Sequence, residues 1–104
     1  DRFLEAAFAV ARGRYATAAT LLDQVIADRP AHAAAQFCLA YCYPAGDAER
    51  ALERYDVARV LLPNDPRPYF RRGLIYAETR RWAAAAGEFT RALALDPEYA
   101  AAYK

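Results

Sequence analysis

Three prolines, Pro30, Pro63 and Pro97, each close a copy of one repeating stretch of roughly 34 residues, and that recurrence constrains the fold more than any other feature of the chain. Behind each proline lies the same ladder of small and large residues. Ala18, Ala51 and Ala85 are equivalent, as are Leu22, Tyr55 and Phe89, then Val25, Ala58 and Ala92, while Gly13 and Gly46 are matched by Arg80. Self-similarity at this period indicates stacked helix pairs, because one repeat cannot bury its apolar face alone and its neighbours must cover it. Stacks of this kind present long surfaces suited to binding rather than to chemistry.

Helix signals recur in order along the chain. A first helix is expected from Arg2 to Arg12, with Phe3, Ala6, Ala7 and Val10 at helical spacing, and a second from Tyr15 to Asp28. A third should begin near Ala31, after Pro30. Asp47 reads as the N-cap of a fourth that ends near Leu62. Asp65-Pro66 reads as an N-cap followed by proline at the first helical position, where its missing N–H costs nothing. That fifth helix runs to Thr79 and a sixth from Trp82 to Leu95. Asp96-Pro97 repeats the cap signal, and Ala100 to Lys104 opens a further helix. The connections are short, so consecutive helices must lie antiparallel. No sustained period-two alternation signals a strand.

Small residues recur where helices should cross: Ala6, Ala40 and Gly73 in the first helix of each repeat, then Ala18, Ala51 and Ala85 in the second. Small side chains let two helices approach, and Leu22, Tyr55 or Phe89 fills the next gap. Trp82 and Tyr15 occupy equivalent positions at the turn into the second helix, and Trp82 is expected to be well packed. The second repeat is one residue short. Ala6 and Ala40 are 34 residues apart but Gly13 and Gly46 only 33, so the loss falls between Tyr43 and Gly46, beside Pro44. Proline inside a helix costs about 3 kcal/mol. The third helix should therefore stop at Tyr43, with a tight turn to Asp47.

The third repeat, with Tyr69, Gly73, Tyr76, Trp82, Ala85, Phe89, Ala92 and Pro97, resembles the tetratricopeptide repeat (TPR) pattern, and three copies in phase extend that resemblance over the chain. The resemblance implies an all-α fold, an alpha-alpha superhelix: a right-handed solenoid of antiparallel helix pairs with about three TPR units. It implies a single array with repeat 1 over 1–32, repeat 2 over 33–65, repeat 3 over 66–99 and the start of a truncated helix over 100–104. The first repeat carries Arg2 and Ala9 where the family has aromatics, which points to a frayed first helix.

In this family the first helix of each repeat lines the concave face. Carried onto this chain, the peptide-contacting positions are Phe3, Leu4, Ala7 and Val10, then Phe37, Cys38 and Tyr41, then Arg67, Phe70, Arg71, Leu74 and Glu78. Aromatic and arginine side chains are what binding hot spots favour. The resemblance thus implies a protein-interaction scaffold holding a peptide or partner segment in a concave groove. One subfamily clamps the C-terminal carboxylate of chaperone tails. Arg67 and Arg71 stand at its third-helix basic positions, but Phe3, Ala7 and Cys38 replace its remaining clamp residues, so the tail-clamp reading is set aside and an acidic group on the ligand is retained.

Other chemistry finds little support. The one histidine, His32, lies in an inter-repeat turn, and the four glycines are scattered singly, so neither a nucleophile–base pair nor a phosphate loop is built. Catalysis is therefore not expected, and no cofactor. Cys38 and Cys42 share one helix face, where zinc would need two more ligands and a disulfide would be strained; they read as small packing residues. Net charge is +1, which argues against nucleic-acid partners despite Arg71-Arg72 and Arg80-Arg81. No apolar run reaches the roughly 18 residues that span a bilayer, so no membrane partner is expected. The absence of methionine and a start at Asp1 within a helical pattern read as a piece of a longer protein. The sequence leaves the compartment unknown, with the cytoplasm favoured. Two other roles fit the same residues: a regulatory module of a larger enzyme, or self-assembly through uncapped solenoid ends, where Phe89 and Leu93 lack a covering helix.

Overall fold

The computed structural model describes residues 1–99; the helix expected at Ala100 to Lys104 lies outside the described residues. Among the described residues there are six α-helices and no strand: α1 (Arg2–Ala11), α2 (Tyr15–Asp28), α3 (Ala33–Cys42), α4 (Ala48–Leu61), α5 (Pro66–Glu78) and α6 (Trp82–Leu95), with a 3-10 turn at Ala45–Asp47 before α4. The chain divides into two compact units, Asp1–Leu61 and a second that begins at Leu62. In the first, α1 packs on α2, α2 on α3 and α3 on α4; in the second, α5 packs on α6. The helix-pair fold is the one the repeat demanded.

The small-residue ladder makes the crossings in both units. In the first unit Ala6, Ala18 and Leu22 are wholly buried, together with Ala35 and Leu39 from α3. Ala51, Tyr55 and Ala58 of α4 are buried at the positions equivalent to Ala18, Leu22 and Val25. Gln36 is buried among them and bonded at both ends of its amide: Nε2 donates to the Pro30 carbonyl (3.0 Å), and the oxygen accepts from Arg54 Nη1 (3.1 Å). A buried amide left unpaired would cost about 1–3 kcal/mol, so these two bonds secure α3 to the inter-repeat turn and to α4. In the second unit Ala85 and Ala92 are buried, and Phe89 lies so close to Gly73 that a methyl there would sit 2.5 Å from the ring.

The turns inside the repeats fall into two kinds. After α1, the Gly13 N–H donates to the Val10 carbonyl (3.0 Å) and the Arg14 N–H to Ala9 (2.8 Å), with Gly13 at φ 75°. After α5, the Arg80 N–H donates to Ala77 (3.1 Å) and the Arg81 N–H to Tyr76 (2.7 Å), with Arg80 at φ 61°. Both are left-handed helix caps of the Schellman type. The middle turn is different. Tyr43 and Pro44 are extended (ψ 139° and 165°), and the Asp47 N–H closes the 3-10 turn onto the Pro44 carbonyl at 2.9 Å. Gly46 does not adopt the left-handed conformation, so it is not the structural equivalent of Gly13 that its sequence position suggested. With one residue fewer and a proline that cannot extend α3, the chain has no room for the left-handed cap.

Other expectations need correction. The first helix is regular rather than frayed: Asp1 Oδ1 accepts from the Phe3 N–H (2.8 Å), and Ala6 and Ala9 are buried, the latter at one of the two positions where an aromatic is lacking. The third begins at Ala33, because His32 Nδ1 accepts from the Ala35 N–H (3.2 Å) and serves as the cap. Asp47 ends the 3-10 turn rather than capping α4, and pairs with Arg50 at 3.7 Å. Trp82 is 65% exposed and Tyr15 42%, since each opens its helix outside the crossing.

Two stability measurements follow from this packing. A left-handed non-glycine residue costs on the order of 1 kcal/mol, so Arg80→Gly should raise stability in urea by about that amount and Gly13→Ala should lower it similarly. Unchanged midpoints for both would mean the caps carry no strain. At Gly73 the gain of about 1 kcal/mol that alanine brings to a helix interior should be overridden by the clash with Phe89. Gly73→Ala should be destabilising, with part of the loss recovered by adding Phe89→Leu.

Candidate functional site

The residues assigned to the binding face fall in both compact units and behave differently in each. In the first unit, the Phe3 ring lies 4.7 Å from that of His32, and the Phe37 ring meets Tyr55 edge-on at 5.2 Å. Cys38 packs half-buried against the core. These three are therefore partly engaged in holding helices together. Ala7 is exposed, and Tyr41 is 43% exposed with its ring edge-on to Tyr15 at 6.0 Å. Cys42, one turn beyond Cys38, is buried and neither forms a disulfide; burial first, and the neighbouring Cys38 second, push the Cys42 thiol up to about 11. Both cysteines belong to the packing.

In the second unit α5 presents two parallel stripes, Phe70 with Leu74 and Arg67 with Arg71, each spaced by four residues and so on one face. Phe70, Arg71 and Leu74 are half-buried. The Phe70 ring lies 5.3 Å from Phe89 and 5.2 Å from Tyr99, the latter edge-on. Arg67 is held by its own helix cap. Asp65 Oδ1 accepts from the Arg67 backbone N–H (2.9 Å) and Nε (3.1 Å), and Oδ2 accepts from Nη2 at 2.7 Å. Arg67, one of the two basic residues read from the sequence as facing a carboxylate, is thus committed to an intramolecular acid.

The neighbouring arginines are also engaged. Arg72 Nε lies 3.4 Å from Glu88 Oε2 in a mostly buried pair, and Arg72 Nη2 donates to the Tyr76 hydroxyl at 3.0 Å. Arg81 lies over the Tyr76 ring at 4.9 Å. Glu88 is therefore a largely buried carboxylate and not a solvated one. Among the described residues no group of three or more His, Cys, Asp or Glu side chains could hold a metal, and no helix is long and apolar enough to cross a membrane.

The shortened turn at Pro44 borders a concave surface. In the first unit a surface cavity of about 710 Å3 is lined by Tyr15, Ala16, Ala19 and Asp23 of α2, by Tyr41 to Pro44 at the end of α3, and by Asp47 and Arg50. The missing residue and Pro44 were its only sequence signal, and three tyrosines scattered over α2, α3 and the turn do not form a motif.

The comparisons with known proteins agree with this geometry. Two family models, both described as Tetratricopeptide repeat, match residues 5–66 and residues 43–104. No curated protein sequence matches the chain significantly. Among solved structures, a crystal structure of MamA superposes with TM-score 0.87 at 23% identity, over 95% of this chain and 58% of that one. A chain of the CopN-Scc3 complex gives 0.85 at 22% identity, over 90% of this chain and 56% of that one. The first TPR of Spaghetti (RPAP3), bound to the HSP90 peptide SRMEEVD, gives 0.86 at 18% identity, over 92% of this chain and 77% of that one. At these identities the likeness is one of fold. The chain spans little more than half the length of the first two.

The Asp65–Arg67 contact carries a pH dependence with a definite sign. Burial alone pushes the Asp65 carboxyl up, but hydrogen bonds from the Arg67 side chain and backbone, with the Arg67 charge, outweigh it and hold the group below its ordinary value. A depressed folded value contributes stability above the ordinary carboxylate range, near about pH 4, that is lost as pH falls through the depressed value. Urea midpoints measured from neutral to strongly acidic pH should therefore fall less steeply in Arg67→Gln than in the parent chain. Parallel curves would remove any stabilising role for the pair.

Proposed function

Because the chain belongs to the tetratricopeptide repeat family, whose members are helical protein-interaction modules, we propose that it captures a partner protein by binding an extended or helical segment against the first helices of its repeats. The observation that carries this reading is the α5 face. There an apolar stripe, Phe70 and Leu74, runs beside a cationic one, Arg67 and Arg71, with Phe70, Arg71 and Leu74 partly exposed. Aromatic and arginine anchors dominate the energetics of such contacts. In the first compact unit Ala7 and Tyr41 supply exposed contacts, while Phe3, Phe37 and Cys38 offer the outer parts of packed side chains.

The ligand class follows from those side chains: an apolar or aromatic residue for Phe70 and Leu74, and a carboxylate for the cationic stripe. Asp65 holds Arg67 at the start of that cationic stripe, and the acidic group of the ligand is proposed to meet the stripe as a whole. The structurally similar TPR of Spaghetti binds a peptide ending in acidic and apolar residues, which supports a ligand of that character. In a longer parent protein the same capture would serve a scaffold or a regulatory module of an enzyme.

A selection of random and acid-tailed peptides against the domain tests the proposal. Phe70→Ala and Arg71→Glu should each weaken capture of the enriched peptides by tenfold or more, about 1.4 kcal/mol, with little loss of helicity. Equal capture by both variants would overturn the assignment to α5. A folded domain that captures nothing would move the function to the apolar surface of α6, where Trp82, Leu93 and Leu95 are 65%, 40% and 38% exposed.

A further inference from the structure

We propose that the cavity of the first compact unit is a second binding site, and that its occupant is an arginine side chain on an extended segment of a partner protein. The cavity, about 710 Å3, falls in the range of ligand pockets. Its floor is the α2 stripe Tyr15, Ala19 and Asp23, spaced by four residues so that all three lie on one helix face. Tyr15 and Asp23 are two turns apart, about 12 Å along the axis, so a compact ion would meet one or the other. A long side chain can lie along the alanines with its stem against tyrosine and its head at the carboxylate.

The molecule already holds one guanidinium in this manner at the rim of the same cavity. Arg50 lies over the Tyr43 ring, 4.6 Å from its centre, and 3.7 Å from the Asp47 carboxylate. The α2 wall also offers a ring and an acid, but set two turns apart, so that the stem and the head of one long side chain meet them separately. Tyr15 and Tyr41 supply the rings, edge to face at 6.0 Å, and Asp23 the carboxylate. Asp23 is exposed and makes no ion pair among the described residues, whereas Asp47 has its arginine. With Arg50 neutralised by Asp47, the uncompensated charge of the lining is the Asp23 carboxylate, and the complementary ligand is a cation. Arginine fits better than a small ammonium group because its long apolar stem can lie against tyrosine and alanine while its planar head forks onto the carboxylate.

The cavity owes its existence to the short second repeat. Pro44 ends α3 and sets Tyr43 in an extended conformation, and the 3-10 turn then carries Asp47 and Arg50 to the rim. The site needs nothing from α5, so it stands or falls separately from the acid-seeking face there. It also selects a ligand of opposite charge.

An acetylated, amidated Gly-Arg-Gly tripeptide titrated into the isotope-labelled domain tests it by NMR. The expected result is a saturable set of shift changes at Ala16, Ala19, Asp23 and Tyr43, absent with the isosteric citrulline tripeptide. Binding should weaken about fivefold or more in Asp23→Asn and in Tyr15→Ala, be unaffected by Phe70→Ala, and decline with added salt. Asp23 and Tyr15 are exposed, so both variants should keep the parent circular dichroism spectrum. Equal binding of the citrulline peptide, retention in Asp23→Asn, shifts confined to other surfaces, or no shifts at millimolar peptide would each overturn the proposal.

Discussion

Close approach between small residues on paired helices is the constraint on which the rest of the structure depends. A helix pair of ten to fourteen residues each is marginal in isolation, and its stability comes from the stripe it buries. Where Ala6 meets the second helix, and where Gly73 does in the last repeat, there is no side chain to hold the axes apart, so Leu22 and Phe89 can reach across. The packing is tight enough that one added methyl at Gly73 would displace an aromatic ring. Everything on the outer faces is positioned by those crossings.

The turns decide what those faces expose. Two of the three turns within repeats use a left-handed cap, with glycine at one and arginine at the other. Arg80 shows that the geometry is imposed by the helix pair and not merely permitted by its residue. The middle turn lacks the length for that cap and opens through Pro44 into a 3-10 turn, bringing three tyrosines and two carboxylates around one cavity. A deletion that looks neutral in a loop thereby changes the chemistry of a surface.

Charge is distributed by the same logic. The chain is almost neutral overall, yet its arginines are far from interchangeable. Arg67 is held by its helix cap, Arg72 is buried with Glu88, Arg81 covers Tyr76 and Arg50 covers Tyr43. Local pairing of this kind removes the basic patches that dipeptides such as Arg71-Arg72 suggest in the linear sequence. The two stripes proposed for recognition, on α5 and on α2, are accordingly local features and not broad charged patches.

Helix order, the helix-pair fold and the family were legible in the sequence, because they follow from a period, from caps such as Asp65-Pro66 and from small residues recurring in phase. Those signals are local or repeat at fixed spacing, and packing only reinforces them. The proposed binding face could be named in the sequence only as positions on α1, α3 and α5 carried over from the family resemblance. Their states were not legible: Phe37 on Tyr55, Arg67 on Asp65 and Trp82 turned to solvent depend on which neighbours arrive from other helices. The cavity beside Pro44 was legible only as a missing residue. Its walls come from three elements far apart in the chain, and only the tertiary structure could bring Tyr15, Asp23, Tyr43 and Arg50 around one space.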